Sequence, residues 1–271
     1  MGVIALLSDF GTVDGYAGIM HGVILRINPR AVIVDVSHDI PPQDVHTAAF
    51  VLSTVYPYFP IDTIYVVVVD PGVGSERRAL AVRTPRGIFI APDNGVLSYV
   101  FAREPIDEMV HLTNAQYWLL PLSDTFHGRD LFAPVAAHLS LGVSLNELGP
   151  AIQDPVRLPV PKAVAQQDGT IYGQVLHIDR FGNLITNIPH ELLQANQAWR
   201  VHIAGYEVIG LSKAYAMAAD GELLALIDSS GYLELAVRNG SAAEKLKVNR
   251  GAEVVVSPLS GKTREGKEES G

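Results

Sequence analysis

Three polar residues of the chain are of the types that activate water: Asp70, Arg77 and His127. A guanidinium beside a carboxylate stabilises its ionised form, and a nearby histidine can accept or relay a proton near neutral pH. Such a set suits the activation of water without a metal ion. Taken one at a time, each residue also has a plainer explanation, because Asp70 can form a turn, Arg77 can be a surface charge and His127 can cap a helix.

A second set offers oxygen and nitrogen ligands to a divalent cation: Asp9, Asp70, His127 and Asp130. The spacing of these residues matches no diagnostic metal motif. The chain has no cysteine, which excludes disulfides and thiolate metal sites. We therefore expect no metal at this site, and keep a metal-dependent nucleotide hydrolase as the alternative function.

The composition is typical of a soluble globular protein with two domains. The chain has 271 residues, of which 48% are hydrophobic and 18% charged. A net charge of −9 argues against a nucleic-acid-binding protein, which usually carries a basic face. Residues 1–7 are apolar but lack a basic flank, so we expect no signal peptide. With no apolar run near the ~20 residues that span a bilayer, we expect no membrane segment and a cytoplasmic location.

The first half of the chain alternates strand and helix patterns. Apolar β-branched segments, typical of buried strands, alternate with segments of helical spacing over residues 3–7, 13–28, 31–36, 44–55 and 64–69. This order predicts a mainly parallel sheet with right-handed crossovers. Asp9 and Asp70 come at the carboxyl ends of the first and third strands, where ligands bind in open α/β sheets. His127 comes just before a predicted helix over residues 131–141.

The second half of the chain reads as all-β. A proline-rich stretch between residues 149 and 169 marks the boundary, which we place to give an α/β domain over 1–160 and a smaller barrel-like domain over 161–258. Short strands are predicted in the second domain at residues 171–178, 184–188, 199–203, 223–227, 232–237 and 254–256. Residues 259–271 are charged and glycine-rich, and we expect them to form a disordered tail.

The second domain carries its own polar segments, residues 179–187 and 229–240. Asn183 can hydrogen-bond to the edge of a base, and Phe181 can stack on it. The structural alternative is a polar hairpin followed by an edge strand.

Six segments, in order along nearly the whole chain to about Pro258, resemble the S-adenosyl-L-methionine hydroxide adenosyltransferase family, relatives of the fluorinating and chlorinating enzymes. Each segment is modest alone, but six in register are specific. The matching segments are Ser8-Asp9-Phe10-Gly11, Asp70-Pro71-Gly72-Val73-Gly74 with Arg77, Pro92-Asp93-Asn94-Gly95, Thr125-Phe126-His127-Gly128-Arg129-Asp130, residues 179–187 and residues 229–237.

The resemblance implies an amino-terminal α/β domain, a carboxyl-terminal β-barrel-like domain and a homotrimer. It also implies an active site between the first domain of one subunit and the second domain of a neighbour. The implied reaction cleaves S-adenosyl-L-methionine with water or hydroxide, giving adenosine and L-methionine with no cofactor. A protein that binds S-adenosyl-L-methionine without cleaving it, a sensor, is a further alternative.

The resemblance also implies a role for each matched residue. Asp70, Arg77 and His127 match the family's water-activating triad. The halogenating relatives lack this triad because they replace the aspartate and the histidine, and they also carry an extra loop in the first domain. The substrate contacts implied are Asp9 to the ribose hydroxyls, Asp179 to the methionine ammonium, Asn183 to adenine, and Ser230, Glu234 and the backbone of Val237 around the rest of the pocket.

Overall fold

The computed structural model describes residues 2–194 and 197–259, so the tail predicted over residues 259–271 lies, after its first residue, outside the described residues. The chain forms two compact units that divide between Val160 and Pro161. No helix within the described ranges is long and apolar enough to cross a membrane.

The first unit is built on a six-stranded sheet in the order β2-β1-β3-β5-β4-β6. Its strands are β1 (Val3–Ser8), β2 (Val32–Ser37), β3 (Thr63–Val68), β4 (Ala79–Thr84), β5 (Gly87–Pro92) and β6 (Glu108–His111). Its helices are α1 (Tyr16–Ile27), α2 (Val45–Val55), α3 (Ser98–Arg103), α4 (Ala133–Ser140) and α5 (Leu145–Leu148). The first four strands in the order are parallel, whereas β4 and β6 are antiparallel to their neighbours. The mainly parallel sheet is therefore confirmed.

Strand β3 lies at the centre of this unit because its sequence is apolar on both faces. All six of its residues are buried, as is usual for a parallel strand covered by helices on both sides. Helix α1 buries Met20 and Ile24 in the same core. Asp44 begins α2, where its side chain accepts a hydrogen bond from the Thr47 backbone N–H at 3.0 Å, a cap worth about 1 kcal/mol.

The second unit is an antiparallel sheet of eight strands, and its described residues also form one short α-helix, α6 (Ala242–Leu246). Its strands are β7 (Val164–Ala165), β8 (Ile171–Ile178), β9 (Leu184–Pro189), β10 (Trp199–Ile203), β11 (Tyr206–Ile209), β12 (Leu223–Ile227), β13 (Tyr232–Val237) and β14 (Glu253–Pro258). Seven of them follow the order β11-β10-β14-β8-β9-β13-β12, and β7 pairs with β8. The Ser212 N–H donates to the Ala225 carbonyl of β12 at 2.8 Å, just beyond β11. The sheet is therefore nearly closed, and the barrel-like second domain is confirmed.

Strand β13 separates two environments by the alternation of its side chains. Leu233, Leu235 and Val237 belong to the main core of the barrel. Ala236 instead joins a small separate apolar cluster, so Glu234, two residues earlier, lies on that other face. A carboxyl group is thus buried on this strand without entering the main core.

Candidate active site

The acids of the first unit meet at one edge of its sheet. Strands β1 and β3 are neighbours in parallel, with Ser8 opposite Val68, so the chain leaves both strands side by side at Asp9 and Asp70. These two residues and His127 line a cavity of about 370 Å³. The structure therefore brings together three of the four first-domain residues expected in the site. The fourth, Arg77, forms hydrogen bonds to Asp70 and His127.

Asp70, Arg77 and His127 form a continuous hydrogen-bonded chain. Arg77 Nε donates to both carboxylate oxygens of Asp70, at 3.1 and 3.0 Å, and its Nη2 donates to Oδ2 at 2.6 Å. The same Nη2 lies 2.5 Å from His127 Nδ1. The side chains of Asp70 and Arg77 are only 5% and 10% exposed, so this ion pair is shielded from bulk solvent and its geometry is held firmly.

The contact with Arg77 decides which nitrogen of His127 carries the proton. A guanidinium can only donate hydrogen bonds, so Nδ1 is the acceptor and the proton of the neutral ring is on Nε2. Burial lowers the pKa of His127, and the positive charge of Arg77 lowers it further, against the opposing charges of nearby aspartates. The ring is therefore neutral at neutral pH, and presents an N–H donor rather than a base.

The loop between Asp70 and Arg77 is closed by its own backbone. The Val73 N–H donates to the Asp70 carbonyl at 3.2 Å, and Gly74 follows with a φ of +77°. A Cβ at position 74 would collide with the backbone carbonyl of Asp124, three residues before His127. Glycine is required here for both reasons, and it allows the two loops that carry the triad to lie against each other.

A second network supports the triad. Asn94 Nδ2 donates to the carbonyl of Val69, the residue before Asp70, at 2.8 Å. Arg78 Nε donates to Asp93 at 2.8 Å, and its Nη1 to Asp154 at 2.8 Å. The adjacent arginines thus serve different partners. The motif at residues 92–95 marks Asp93 and Asn94 in the sequence, but nothing in the motif predicts what they contact.

The rest of the cavity wall is aromatic. Phe10, Tyr16 and Phe126 form a cluster with ring centroids 5.2 to 5.7 Å apart, and all three line the cavity. Asp9 lies beside them, and its Oδ2 accepts a hydrogen bond from the Gln43 N–H at 2.8 Å. The cavity therefore combines carboxylates with aromatic faces, a combination suited to a cationic ligand.

The carboxylates of the metal alternative are engaged elsewhere. Asp130 is 1% exposed and accepts from Arg129 Nε at 2.6 Å and from the Ser123 N–H at 2.9 Å. Asp70 is paired with Arg77. Within residues 2–194 and 197–259, the four residues of that alternative do not form a group of converging ligand atoms.

The second unit contains a larger cavity, of about 790 Å³. Asp179, Asn183 and Val237, all expected in the site, lie in its wall. The other lining residues are Phe181, Tyr215, Ala216, Arg238, Asn239, Gly240 and Ser241.

Asp179 orders the turn that carries Asn183. Its Oδ1 accepts from the N–H groups of Phe181 and Asn183 at 2.9 and 2.8 Å, and its Oδ2 accepts from Asn183 Nδ2 at 3.1 Å. Asn183 is buried, whereas Phe181 is 75% exposed. The carboxylate therefore fixes the orientation of the Asn183 amide, and leaves the Phe181 ring accessible beside it.

Glu234 lies behind the wall of this cavity. It is 3% exposed and accepts a hydrogen bond from the Tyr215 hydroxyl at 2.8 Å. Burial raises the pKa of Glu234 to about 7, with a further contribution from the charges of Asp179 and Asp228 and an opposing one from the Tyr215 hydrogen bond. Burial and Glu234 also raise the pKa of Tyr215. The sequence carries no signal for Tyr215, since a short turn shows no periodicity.

Ser230 lies apart from the lining residues of the second cavity. It is exposed in the turn between β12 and β13, where its N–H donates to Asp228 Oδ1 at 2.8 Å. Its expected contact with substrate stays a prediction.

Comparison with known proteins places both units in one family. Models of the amino- and carboxyl-terminal domains of SAM hydroxide adenosyltransferase match residues 4–149 and 173–255. A protein of Salinispora arenicola named (R)-S-adenosyl-L-methionine hydrolase is 39% identical, over 94% of this chain and 97% of its own. One of Thermus thermophilus with the same name is 36% identical, over 93% and 98%.

More distant and structural relatives agree. A fluorinase of an Actinoplanes species is 29% identical, over 94% of this chain and 97% of its own. The crystal structure of an uncharacterized conserved protein from Thermotoga maritima superposes with a TM-score of 0.88 at 37% identity, over 94% of this chain and 100% of that one. Two domain models and relatives of this identity over almost the full length show that the chain belongs to the SAM hydroxide adenosyltransferase family.

Proposed function

We propose that this protein cleaves S-adenosyl-L-methionine with water, giving adenosine and L-methionine. The observation that carries the proposal is the hydrogen-bonded chain from Asp70 through Arg77 to His127 at the wall of a cavity. The names of the curated relatives support the same substrate and the same type of reaction.

The triad activates water by supplying positive charge and hydrogen-bond donors. Free water has a pKa of about 15.7, so hydroxide is scarce at neutral pH. Arg77 favours the deprotonated form of a water molecule beside it, by the same effect that lowers the pKa of an acid near a cation. Because Nδ1 of His127 already accepts from Arg77, the Nε2–H of the neutral ring donates to the nucleophile. Asp70 holds the guanidinium in place.

The reaction balances without a general acid. Hydroxide forms a bond to the ribose 5′ carbon as the bond from that carbon to the sulfonium breaks, and the electron pair stays on sulfur. Methionine leaves as a neutral thioether, which needs no proton. One proton is released per turnover, and it goes to solvent, because His127 Nδ1 and the Asp70 carboxylate are both occupied by Arg77.

Substrate binding is divided between the two cavities. In the first, Asp9 accepts hydrogen bonds from the ribose hydroxyls, and the ring cluster of Phe10, Tyr16 and Phe126 faces the cationic sulfonium. In the second, Asn183 contacts adenine and Asp179 the methionine ammonium. Ser230, Glu234 and the Val237 backbone complete that half of the pocket.

The two halves belong to different subunits in this proposal. The chain assembles as a homotrimer, and each substrate is held by the first domain of one subunit and the second domain of a neighbour. The resemblance to the family supports this arrangement. The reaction needs no cofactor. We place the protein in the cytoplasm.

The direct test is chromatography of each sulfonium epimer of S-adenosyl-L-methionine after incubation with pure protein, with and without a chelator. We expect adenosine and methionine in equal amounts in both conditions, from the (R) epimer named for the relatives. Activity abolished by the chelator would favour the metal-dependent hydrolase. Bound but intact substrate after many hours would identify a sensor, and 5′-methylthioadenosine as the product would exclude the proposed reaction.

Halide addition separates this activity from that of the halogenating relatives. Both Asp70 and His127 are present here, and the alignment with the fluorinase extends over 289 positions, more than the 271 residues of this chain. That fluorinase therefore has residues that this chain lacks, in keeping with an extra loop. We expect no halogenated nucleoside with added chloride or fluoride, as measured by mass spectrometry.

A further inference from the structure

Two histidines and an aspartate converge outside both cavities. His21 lies on α1, Asp35 on β2, and His38 just after β2. Asp35 Oδ1 is 2.8 Å from His21 Nε2 and 2.9 Å from His38 Nε2. One ligand atom from each of the three residues thus lies within 4.8 Å of the other two.

This donor set is that of a transition metal. Two imidazole nitrogens and one carboxylate oxygen suit Zn²⁺, Co²⁺ or Ni²⁺, whereas Mg²⁺ and Ca²⁺ prefer oxygen alone. Metal–ligand bonds of about 2.1 Å in a tetrahedral site separate neighbouring ligand atoms by about 3.4 Å. The contacts from Asp35 would therefore open by about half an ångström, which side-chain rotation can supply.

The buried histidine already has the supporting contact of a metal ligand. His38 is 5% exposed, and its Nδ1 lies 2.7 Å from the hydroxyl of Ser8, itself 1% exposed. Histidines that bind metals usually engage their other ring nitrogen in such a hydrogen bond, which orients the ring. With the ring proton on Nδ1, His38 donates to the Ser8 hydroxyl and the lone pair of Nε2 is available to a metal. The side chains of Asp35 and His21 are 44% and 31% exposed, which leaves the fourth position open to water.

We propose that His21, Asp35 and His38 form a binding site for a divalent transition metal, with Zn²⁺ as the best fit. The site is separate from the proposed water activation, and it takes no part in that reaction. Its place in the fold gives it a conformational role, because the His38 carbonyl accepts from the Gly11 N–H at 2.7 Å and the Ser8 hydroxyl from the Phe10 N–H at 3.3 Å. A bound metal would tie α1 to β2 and stiffen the loop around Asp9.

Titration of the metal-free full-length protein with Co²⁺, followed by visible absorption, tests the site, and competition with Zn²⁺ gives the affinity for zinc. We expect one ion per chain and a rise in Tm on binding, since a ligand of the folded state alone stabilises it. His21→Ala and Asp35→Asn should each weaken binding at least tenfold. His46→Ala, which removes an exposed histidine of α2, should leave it unchanged.

The proposal is overturned if wild-type protein binds no Co²⁺ at millimolar concentration, or if His21→Ala and Asp35→Asn bind it as tightly as wild type. The three residues would then be a hydrogen-bonded clamp between α1 and β2. Neither outcome depends on the cleavage of S-adenosyl-L-methionine, because both readouts are made without substrate.

Discussion

Arg77 is the residue on which the proposed chemistry depends most. Its guanidinium reaches the Asp70 carboxylate and the His127 ring at once, and it packs over the Phe132 ring at 5.5 Å. A lysine has the same charge but lacks the planar fork that serves two partners in fixed directions. Charge and geometry can therefore be separated by one substitution.

We expect Arg77→Lys to lower kcat by about 10²–10³, the usual cost of removing one preorganised hydrogen-bond donor from a site, with little change in KM. His127→Ala should have an effect of the same order, and the double variant should lose little more, because the residues act as a unit. Steady-state kinetics on S-adenosyl-L-methionine measures this. Arg83→Lys, at a surface ion pair with Glu108, is the matched control. Near-normal turnover in both triad variants would place the chemistry elsewhere.

The pH profile follows from the protonation state of His127. Its pKa is lowered from the ordinary 6.5, so the ring is neutral above pH 6.5 and becomes protonated only as the pH falls through the lowered value. A proton on Nδ1 would face the Arg77 guanidinium and break their hydrogen bond. We therefore expect the contribution of His127 to kcat/KM to be constant above pH 6.5 and to be lost as the pH falls through the lowered pKa, together with the contribution of this contact to stability.

Glu234 must be separated from His127 in that experiment. Its pKa of about 7 places a second titration close by, in the half of the site that binds substrate. The profile should therefore be repeated with Glu234→Gln. An acidic limb that persists below pH 6.5 in this variant belongs to His127, whereas a limb that disappears with Glu234 would contradict the assignment.

At the scale of elements, the site depends on where parallel strands end. The carboxyl ends of β1, β3 and β5 lie at one edge of the sheet and carry Asp9, Asp70 and Asp93 in turn. Asn94, after β5, holds the carbonyl of Val69 after β3. One loop thus supports the next, and the position of Asp70 depends on a residue outside the lining of the cavity.

Asn94→Ala tests this support. The change leaves the Val69 carbonyl without its side-chain donor, which costs about 1–3 kcal/mol of unfolding free energy when the group is buried. We expect that loss in urea denaturation, together with a fall in kcat larger than any change in KM. Asn94 Oδ1 also accepts from the Val96 N–H at 3.2 Å. Asn114→Ala removes a comparable pair of bonds, to the Glu147 carbonyl and from the Gln116 N–H, neither of which involves a triad residue. A drop in kcat of equal size there would contradict a specific role for Asn94.

Elements with a strong local pattern are predictable from the sequence. A strand buried on both faces reads as a continuous apolar run, as β3 does. Strand β11 is not predictable in this way. Only Val208 of its four residues is buried, and the segment does not alternate apolar and polar side chains. In α1, Ile19 and Met20 are adjacent apolar residues, but Ile19 is 43% exposed, whereas Met20 is buried. Helical spacing alone does not decide between adjacent apolar positions.

A residue of the candidate site is predictable when the sequence pattern next to it marks its place in the fold. Asp9 and Asp70 follow recognisable strands, so the strand pattern alone is enough to put them at the sheet edge. The role of Asn94 and the contact of Tyr215 with Glu234 are not predictable in this way, since each joins segments separated by 19 or more residues. Long-range pairing leaves no periodicity in a single sequence.

At the scale of the whole molecule, each unit carries half of the groups that the proposed reaction needs. The triad belongs to the first unit, and Asn183 with Asp179 to the second. If neighbouring subunits share each site, a substitution in the first unit and a substitution in the second unit can be carried by different chains of one assembly. Mixed assemblies then contain sites with both halves intact.

Co-assembly of His127→Ala and Asn183→Ala chains tests that arrangement. Each variant alone should be nearly inactive as a homotrimer. Random mixed trimers, formed by co-expression, should recover about a quarter of wild-type activity, because that share of interfaces pairs two intact halves. Analytical ultracentrifugation checks the trimer. Mixed trimers that stay inactive would show that each site is formed by a single chain.

Gly74 limits how this protein can vary. Its left-handed backbone and its approach to the Asp124 carbonyl set the spacing of two loops by backbone alone, where no neighbouring side chain can adjust. A saturation library of the loop should therefore accept many residues at the exposed Glu76 and none but glycine at position 74. The most constrained position of the loop would then be one with no functional group, and its variants would be absent from the pool selected for activity.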